Sequence, residues 1–138
     1  MSSPTTGYSG TPLAKKLGIL AGSRVVTRNA PGDYARLLAP LPANVVFGYS
    51  VAVTTDLVHC FCDRKADLKR NLGVLRKTIK ADGMVWISWP KKASKVPTDI
   101  TEDTIRELAR PLGYVDVRVC AVSEVWSGLK LVIRKSLR

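Results

Sequence analysis

Short apolar segments recur along the chain and predict six strands. Two of them, Leu57–Cys62 and Met84–Trp89, are continuous apolar runs with one polar residue each. Such runs are typical of strands that are buried on both faces, as in parallel sheets. The other predicted strands are Arg24–Asn29, Val45–Tyr49, Tyr114–Val122 and Leu129–Arg134. The last two predict an antiparallel hairpin with Ser127–Gly128 as its turn.

Segments with helical spacing lie between these strands. Apolar residues at one side of a helical wheel predict a core-facing helix that begins at Asp63, as its N-cap, and ends at about Lys80. These residues are Leu68, Leu72, Leu75 and Ile79. Shorter helices are predicted at Pro12–Leu17, after Asp33 as far as Leu38, and from Asp99 or Thr101 to Leu112. The long helix joins two parallel strands, which predicts a right-handed crossover.

The order of these elements predicts the fold class. We expect a single-domain α/β protein with a Rossmann-like sheet that is mostly parallel and ends in a C-terminal antiparallel hairpin. The chain of 138 residues is long enough for one domain with a core. Residues 1–10 are rich in Ser, Thr, Pro and Gly and predict a flexible arm, which leaves residues 11–138 for the domain.

Charge and cysteine content add expectations about partners and location. The chain has 22 Lys and Arg against 11 Asp and Glu, a net charge of +11. This excess favours an anionic partner, either a small molecule or nucleic acid. An odd number of cysteines favours a reducing compartment over a disulfide framework. With no signal peptide and no apolar run of about 18 residues, we expect a cytoplasmic protein, monomer or homodimer, that does not bind membranes.

The loop after the strand Met84–Trp89 is the first candidate site. It carries several cations and a hydroxyl close to the carboxyl end of a buried strand, where ligands bind in open α/β sheets. The predicted anion-binding residues are Trp89, Lys91, Lys92, Ser94 and Lys95. The acidic residues that follow, Asp99, Glu102 and Asp103, could neutralise this loop, and the lysines would then serve only solubility.

The long helix is the second candidate site. Its cations Lys65, Lys69, Arg76 and Lys80 fall within about 60° of one another on a helical wheel and predict a basic ridge beside the apolar stripe. Such a ridge could contact nucleic-acid phosphates without reading sequence, or it could be a solvated face.

The sequence also resembles known families. GMVWISWPKKASKVPTDITEDTIRELA and GYVDVRVCAVSEVWSGLKLVIRK, with TPLAKKLGI near the start, resemble a family of short, uncharacterised bacterial proteins known only as a domain of unknown function. The order of the elements resembles a shortened class I methyltransferase. This resemblance implies a Rossmann-like sheet whose last strand is antiparallel, and it opens the possibility of S-adenosylmethionine as a cofactor.

The residues at the corresponding cofactor cleft depart from that pattern. In class I methyltransferases the first strand is followed by an acid and a run of glycines, and the second strand by an acid that binds the ribose. Here the first loop has one glycine and a proline, and the second strand ends in Phe47-Gly48-Tyr49-Ser50 without a carboxylate. The cleft residues that remain are Asn29, Gly32, Asp33 and Asp63. We therefore expect no cofactor, with S-adenosylmethionine as the alternative.

Cysteine and histidine positions do not predict a metal site. Cys60 and Cys62 point to one face of their strand, whereas His59 points to the other, so at most three ligands with Cys120 would be available. Core packing explains the cysteines, and a hydrogen-bonded core position explains His59. Trp126, near the predicted hairpin turn, is expected to pack on the core or the sheet edge.

Three functions are compatible with these observations. The first is a non-catalytic binding or interaction module with an anion-binding loop at the carboxyl end of a central strand. The alternatives are a minimal S-adenosylmethionine-dependent methyltransferase and a nonspecific nucleic-acid binder that uses the basic helix. No motif predicts catalytic residues for the methyltransferase alternative.

Overall fold

The computed structural model describes residues 10–138 and has six strands and four α-helices. The strands are β1 Arg24–Arg28, β2 Val46–Gly48, β3 Leu57–Phe61, β4 Met84–Pro90, β5 Tyr114–Ala121 and β6 Trp126–Ile133. The helices are α1 Leu13–Leu17, α2 Tyr34–Leu38, α3 Lys65–Thr78 and α4 Glu102–Ala109. Short 3-10 turns cover Lys92–Ser94, Arg110–Leu112 and Lys135–Leu137. The predicted arm, residues 1–10, lies outside the described residues except for Gly10.

The six strands form one sheet in the order β2-β1-β3-β4-β6-β5. The pairs β1·β2, β1·β3 and β3·β4 are parallel, whereas β6 is antiparallel to both β4 and β5. The predicted fold class is therefore confirmed. Because β3 is buried at every position, it takes the central place that its continuous apolar sequence predicts.

Helices cover both faces of the sheet. Leu68, Leu72 and Leu75 of α3 pack with Val58 and Ile105 into the core on one face. On the other face, Leu17 of α1 and Leu38 of α2 pack with Leu57, Phe61 and Trp86. Alternate side chains of β3 thus enter the two cores, as the two-residue period of a strand requires.

The N-terminus of α3 differs from the prediction. Arg64, not Asp63, occupies the N-cap position, and its side chain makes no capping hydrogen bond. The Asp99 carboxylate accepts a hydrogen bond from the Lys65 amide at 2.6 Å instead. The capping group therefore comes from a distant loop, which local spacing does not reveal. At α4, Thr101 and Thr104 form the reciprocal capping box.

The hairpin turn also lies elsewhere than predicted. Ser127 and Gly128 belong to β6, where they pair with Trp89 and Ser88 of β4, and the turn precedes Trp126. A Cβ atom at Gly128 would lie 3.2 Å from the Trp86 ring, so the glycine here permits close packing. β4 extends one residue beyond the predicted end at Trp89, since Pro90 is still paired with Trp126 of β6.

Among residues 10–138, no helix is both long enough and apolar enough to cross a membrane.

Candidate functional site

The order in which strands are added to the sheet reverses at β1. The connection through α2 leads from β1 to β2 on one side, and β3 lies on the other side of β1. α2 and α3 pack on opposite faces of the sheet, so the loops after β1 and β3 lead to opposite faces. In open α/β sheets this arrangement leaves a crevice between the two loops. Such a switch point is where open α/β sheets bind ligands. The predicted cleft residues Asn29, Gly32, Asp33 and Asp63 all belong to these two loops.

The loop after β1 turns sharply although it contains only one glycine. Asn29 has a left-handed backbone with φ 56°, a conformation that asparagine tolerates better than most residues. A Cβ atom at Gly32 would meet nothing within 4 Å, so this part of the loop is open. Asp33 precedes α2, and its carboxylate lies 3.9 Å from the Arg36 guanidinium, a weak contact at a largely exposed position.

The ends of β1 and β2 are joined by an arginine. The Arg28 Nη1 atom donates a hydrogen bond to the Tyr49 carbonyl oxygen at 3.0 Å. No carboxylate follows β2, as the sequence shows, but the Tyr49 side chain is 95% exposed there. The end of β2 therefore carries an exposed aromatic ring and no acid.

The loop after β3 is held by the segment before α4. The Thr98 hydroxyl donates to the Asp63 carbonyl oxygen at 2.7 Å, while Asp99 caps α3. A cavity of about 500 Å³ lies between these loops and is lined by Asp63, Arg64 and Asp99, among others. Since the hydrogen bond of Thr98 uses only the backbone of Asp63, the Asp63 carboxylate remains available to a ligand.

The loop Lys91–Lys95, called the lysine loop below, is held by hydrogen bonds within it and to the hairpin. The Lys91 amide donates to the Val125 carbonyl at 2.7 Å, and the Ser94 hydroxyl donates to the Lys91 carbonyl at 2.6 Å. Lys95 ends the 3-10 turn in a left-handed conformation with φ 61°. Trp89, which was predicted with this loop, is buried in the core beside α3 and α4. Whether these residues bind an anion stays a prediction.

The acidic residues near the lysine loop are engaged elsewhere. Asp99 caps α3, and Glu102 and Asp103 form ion pairs with Arg106 at 2.5 and 3.2 Å. Hydrogen bonds with Asp116 and then Glu102 raise the Arg106 pKa above its ordinary value. In the described part of the chain, no ion pair joins the lysine loop to a carboxylate. Its positive charge is therefore not cancelled by direct contact.

The four ridge cations have different surroundings. The Arg76 Nε atom donates to the Leu112 carbonyl at 2.8 Å. Lys80 lies beyond the end of α3 and pairs with Asp56 at 2.5 Å, and this contact lowers the Asp56 pKa and raises that of Lys80. Of the four, only Lys65 and Lys69 have neither a side-chain ion pair nor a side-chain hydrogen bond among residues 10–138. The ridge remains a prediction, and it is shorter than the sequence indicated.

A buried polar chain crosses from α2 to β4. The Tyr34 hydroxyl lies 2.7 Å from His59 Nδ1, and His59 Nε2 lies 2.7 Å from Ser88 Oγ. His59 and Ser88 are fully buried, and burial lowers the His59 pKa to about 3. Trp126 packs beside this region, where its ring makes an edge contact with Phe61 and the two ring centroids are 5.0 Å apart. His59 is thus a hydrogen-bonded core residue, as expected, but no sequence signal identified Tyr34 and Ser88 as its partners.

The cysteines lie on two faces of the sheet. Cys60 and Cys62 are buried beside α3 with their sulfur atoms 3.5 Å apart, whereas Cys120 packs against the other core. Hydrogen bonding to Cys62 and burial raise the Cys60 pKa. Within residues 10–138, no three side chains of the kinds that bind metals come together.

Comparison with known proteins gives a fold and no family. No family model matches the chain, and no curated protein matches it. Solved structures do match. A SAM-dependent methyltransferase from Aquifex aeolicus has a TM-score of 0.62 and 15% identity, with 88% of each chain covered. The fibrillarin of Aeropyrum pernix with natively bound S-adenosyl-L-methionine has a TM-score of 0.57 and 11% identity, with 87% of this chain and 73% of that chain covered.

A third match is the fibrillarin pre-rRNA processing protein of Methanococcus jannaschii, at a TM-score of 0.57 and 11% identity, with coverage of 88% and 73%. The chain has the class I methyltransferase fold. At these identities the likeness shows the fold alone. The narrower resemblance to a bacterial family of unknown function stays a prediction.

The expectation of no cofactor is corrected by these comparisons. The structures that share the fold include SAM-dependent methyltransferases, one of them with S-adenosyl-L-methionine bound, and thus point to this cofactor. Our expectation relied on the missing glycines and on the missing acid after β2, but the loop after β1 makes its turn with Asn29 and is open at Gly32. The single glycine after β1 and the missing acid after β2 remain differences from the class I pattern.

Proposed function

We propose that this chain binds S-adenosyl-L-methionine in the crevice between the loops after β1 and β3, as a minimal methyltransferase. The observation that carries the proposal is the switch point at β1, where α2 and α3 pack on opposite faces of the sheet. The cofactor supplies an electrophilic methyl group when bound. The likeness to SAM-dependent methyltransferases supports the same assignment.

Three side chains hold the cofactor in this proposal. Asp63, at the carboxyl end of β3, and Asp33, before α2, accept hydrogen bonds from its ribose hydroxyls or its ammonium group. The exposed ring of Tyr49, at the end of β2, stacks on the adenine. Arg28 fixes the backbone of Tyr49 and so positions this ring.

Calorimetric titration with S-adenosyl-L-methionine and S-adenosylhomocysteine tests the proposal. We expect a dissociation constant near micromolar, about −8 kcal/mol, for at least one of them. Asp63→Asn and Tyr49→Ala should each weaken binding about tenfold, since each removes one contact of about 1.4 kcal/mol. Asp82→Asn is the matched control because Asp82 is exposed and precedes β4, at the opposite end of the strands.

Two results would contradict this assignment. Affinity no tighter than about millimolar for both ligands would remove the cofactor from the function. Equal weakening by Asp82→Asn would show that general electrostatics, not the crevice, controls binding.

A second candidate function is recognition of an anionic ligand by the lysine loop. The observation that favours it is the engagement of Asp99, Glu102 and Asp103 by other groups, which leaves the lysines with their charge. Replacing both Lys91 and Lys92 by Ala should weaken binding of phosphate-bearing ligands and leave the melting temperature within about 2 °C. Unchanged phosphate binding, or unfolding of the double variant, would refute it.

A further inference from the structure

A cleft of about 700 Å³ lies between α1 and the hairpin of β5 and β6, apart from the crevice at β1. Lys15 and Lys16, in the last turn of α1, form one side of it, and Arg118 forms the other. Cys120 and Ser127 contribute to its floor. Among the described residues that line it there is no Asp or Glu. The cleft is large enough for a ligand of nucleotide size.

A β-bulge turns Arg118 towards this cleft. Asp116 pairs with Leu131, but the next pair is Arg118 with Lys130, so β5 contains one extra residue, Val117. Without the bulge, Arg118 would pair with Leu129 and point to the opposite face. With it, Arg118 and Lys130 lie side by side on the face that α1 covers. Bulges commonly redirect a side chain at a binding site.

The bulge also places Arg118 and Asp116 on opposite faces of the sheet. Asp116 pairs with Arg106 at 2.9 Å, on the α4 side of the sheet. Arg118 has no ion pair within residues 10–138, and its direct cross-strand neighbour is another cation, Lys130. Like charges at such a pair destabilise a sheet. Burial and the positive charge of Arg118 both lower the Lys130 pKa, as expected where no anion compensates.

We propose that this cationic cleft binds the oligophosphate group of a small ligand, such as pyrophosphate or a nucleoside diphosphate. The guanidinium of Arg118 binds phosphate oxygens in a bidentate manner, and Lys15 and Lys16 contribute point charges from the other side of the cleft. Lys130, paired with Arg118 across the strands, adds to the positive potential. A bound diphosphate relieves the repulsion between Arg118 and Lys130. It also explains why the bulge places both cations on one face.

Titration with pyrophosphate, ADP and orthophosphate tests the site. We expect pyrophosphate and ADP to bind more tightly than orthophosphate, since they contact more of the cations. Arg118→Gln and Lys15→Gln should each weaken pyrophosphate binding about tenfold or more. Lys135→Gln removes the same charge from an exposed turn after β6 and should leave the affinity unchanged. Tighter binding of ADP than of pyrophosphate would identify a nucleotide as the natural source of the phosphates.

Cys120 gives a readout that locates the ligand. It is the only half-buried cysteine, whereas Cys60 and Cys62 are buried, so alkylation by N-ethylmaleimide should map to Cys120. Pyrophosphate should slow this alkylation in the wild type and not in Arg118→Gln. An anion that binds only at the lysine loop would leave the alkylation rate of Cys120 unchanged, and that result would overturn the proposal. Equal loss of affinity in Lys135→Gln, or no pyrophosphate binding, would overturn it too.

Discussion

His59 is held neutral by its surroundings. It is fully buried between the Tyr34 hydroxyl and Ser88 Oγ, and these two contacts can be made by the neutral ring, which donates from one nitrogen and accepts at the other. A protonated ring has two donors and no acceptor, and its charge would lie in an apolar core, stacked on Phe61. Burial therefore lowers the His59 pKa from 6.5 to about 3.

This pKa predicts a loss of stability in acid. In the unfolded chain His59 binds a proton below about pH 6.5, whereas in the folded protein it does not until about pH 3. Between these values the unfolded state binds more protons, so the free energy of unfolding falls as the pH falls. The slope approaches about 1.4 kcal/mol per pH unit. Urea unfolding at several pH values between 5 and 7.5 measures it.

A His59→Gln variant provides the comparison. His59 is the only histidine of the chain, so the variant should lose the slope above pH 5, whatever its stability. His59→Phe serves as a second neutral replacement if Gln prevents folding. Comparison above pH 5 avoids most of the carboxylate titration. Identical slopes in wild type and variant would contradict the assigned ionisation of His59.

At the scale of elements, the N-terminus of α3 depends on a loop that is distant in sequence. Asp99→Ala removes the carboxylate that accepts from the Lys65 amide at 2.6 Å. We expect this change to lower the free energy of unfolding by about 1 kcal/mol, as for the loss of an N-cap. Chemical denaturation measures the difference.

Asp63→Ala is the matched control for this prediction. Asp63 follows β3 directly and looks like the N-cap in the sequence, but it makes no capping hydrogen bond. Its replacement should therefore change stability by less than about 0.5 kcal/mol. If Asp63→Ala were the more destabilising of the two, the assigned cap of α3 would be wrong.

The elements were predictable where local pattern determines them. The continuous apolar sequence of β3 and β4 and the leucine stripe of α3 fixed these elements to within a few residues. The hairpin turn was misplaced because Ser127–Gly128 has the composition of a turn. Gly128 lies in β6, where a Cβ atom would come within 3.0 Å of Val122 and 3.2 Å of the Trp86 ring. No local pattern contains these tertiary contacts.

The candidate sites were predictable to different degrees. Loops at the carboxyl ends of strands were identified because strand positions were known, and they include Asp33, Asp63 and the lysine loop. The loss of glycine after β1 suggested a lost cofactor, whereas Asn29 shows that the turn survives with another residue. The cleft at Arg118 was missed because it depends on a bulge, and a strand pattern does not show which residue is extra.

At the scale of the whole molecule, only part of the positive charge behind the net charge of +11 can contact an anionic partner directly. Several cations are engaged by carboxylates or carbonyls: Arg70, Arg76, Lys80 and Arg106. Of the four ridge residues, Lys65 and Lys69 retain the freedom to meet a phosphate. A long-range attraction for polyanions is therefore expected from the net charge, with few close contacts to strengthen it.

Duplex DNA of random sequence tests this distribution of charge. We expect weak binding at low salt whose logarithm falls linearly with the logarithm of salt concentration, since each phosphate contact releases counterions with a slope of about −0.9. Lys65→Gln and Lys69→Gln should each make this slope shallower by about 1. Arg76→Gln and Lys80→Gln should change it by less, because the Leu112 carbonyl and Asp56 already hold these side chains. Binding that does not depend on salt, or equal effects of all four substitutions, would contradict an electrostatic contact through the free part of α3.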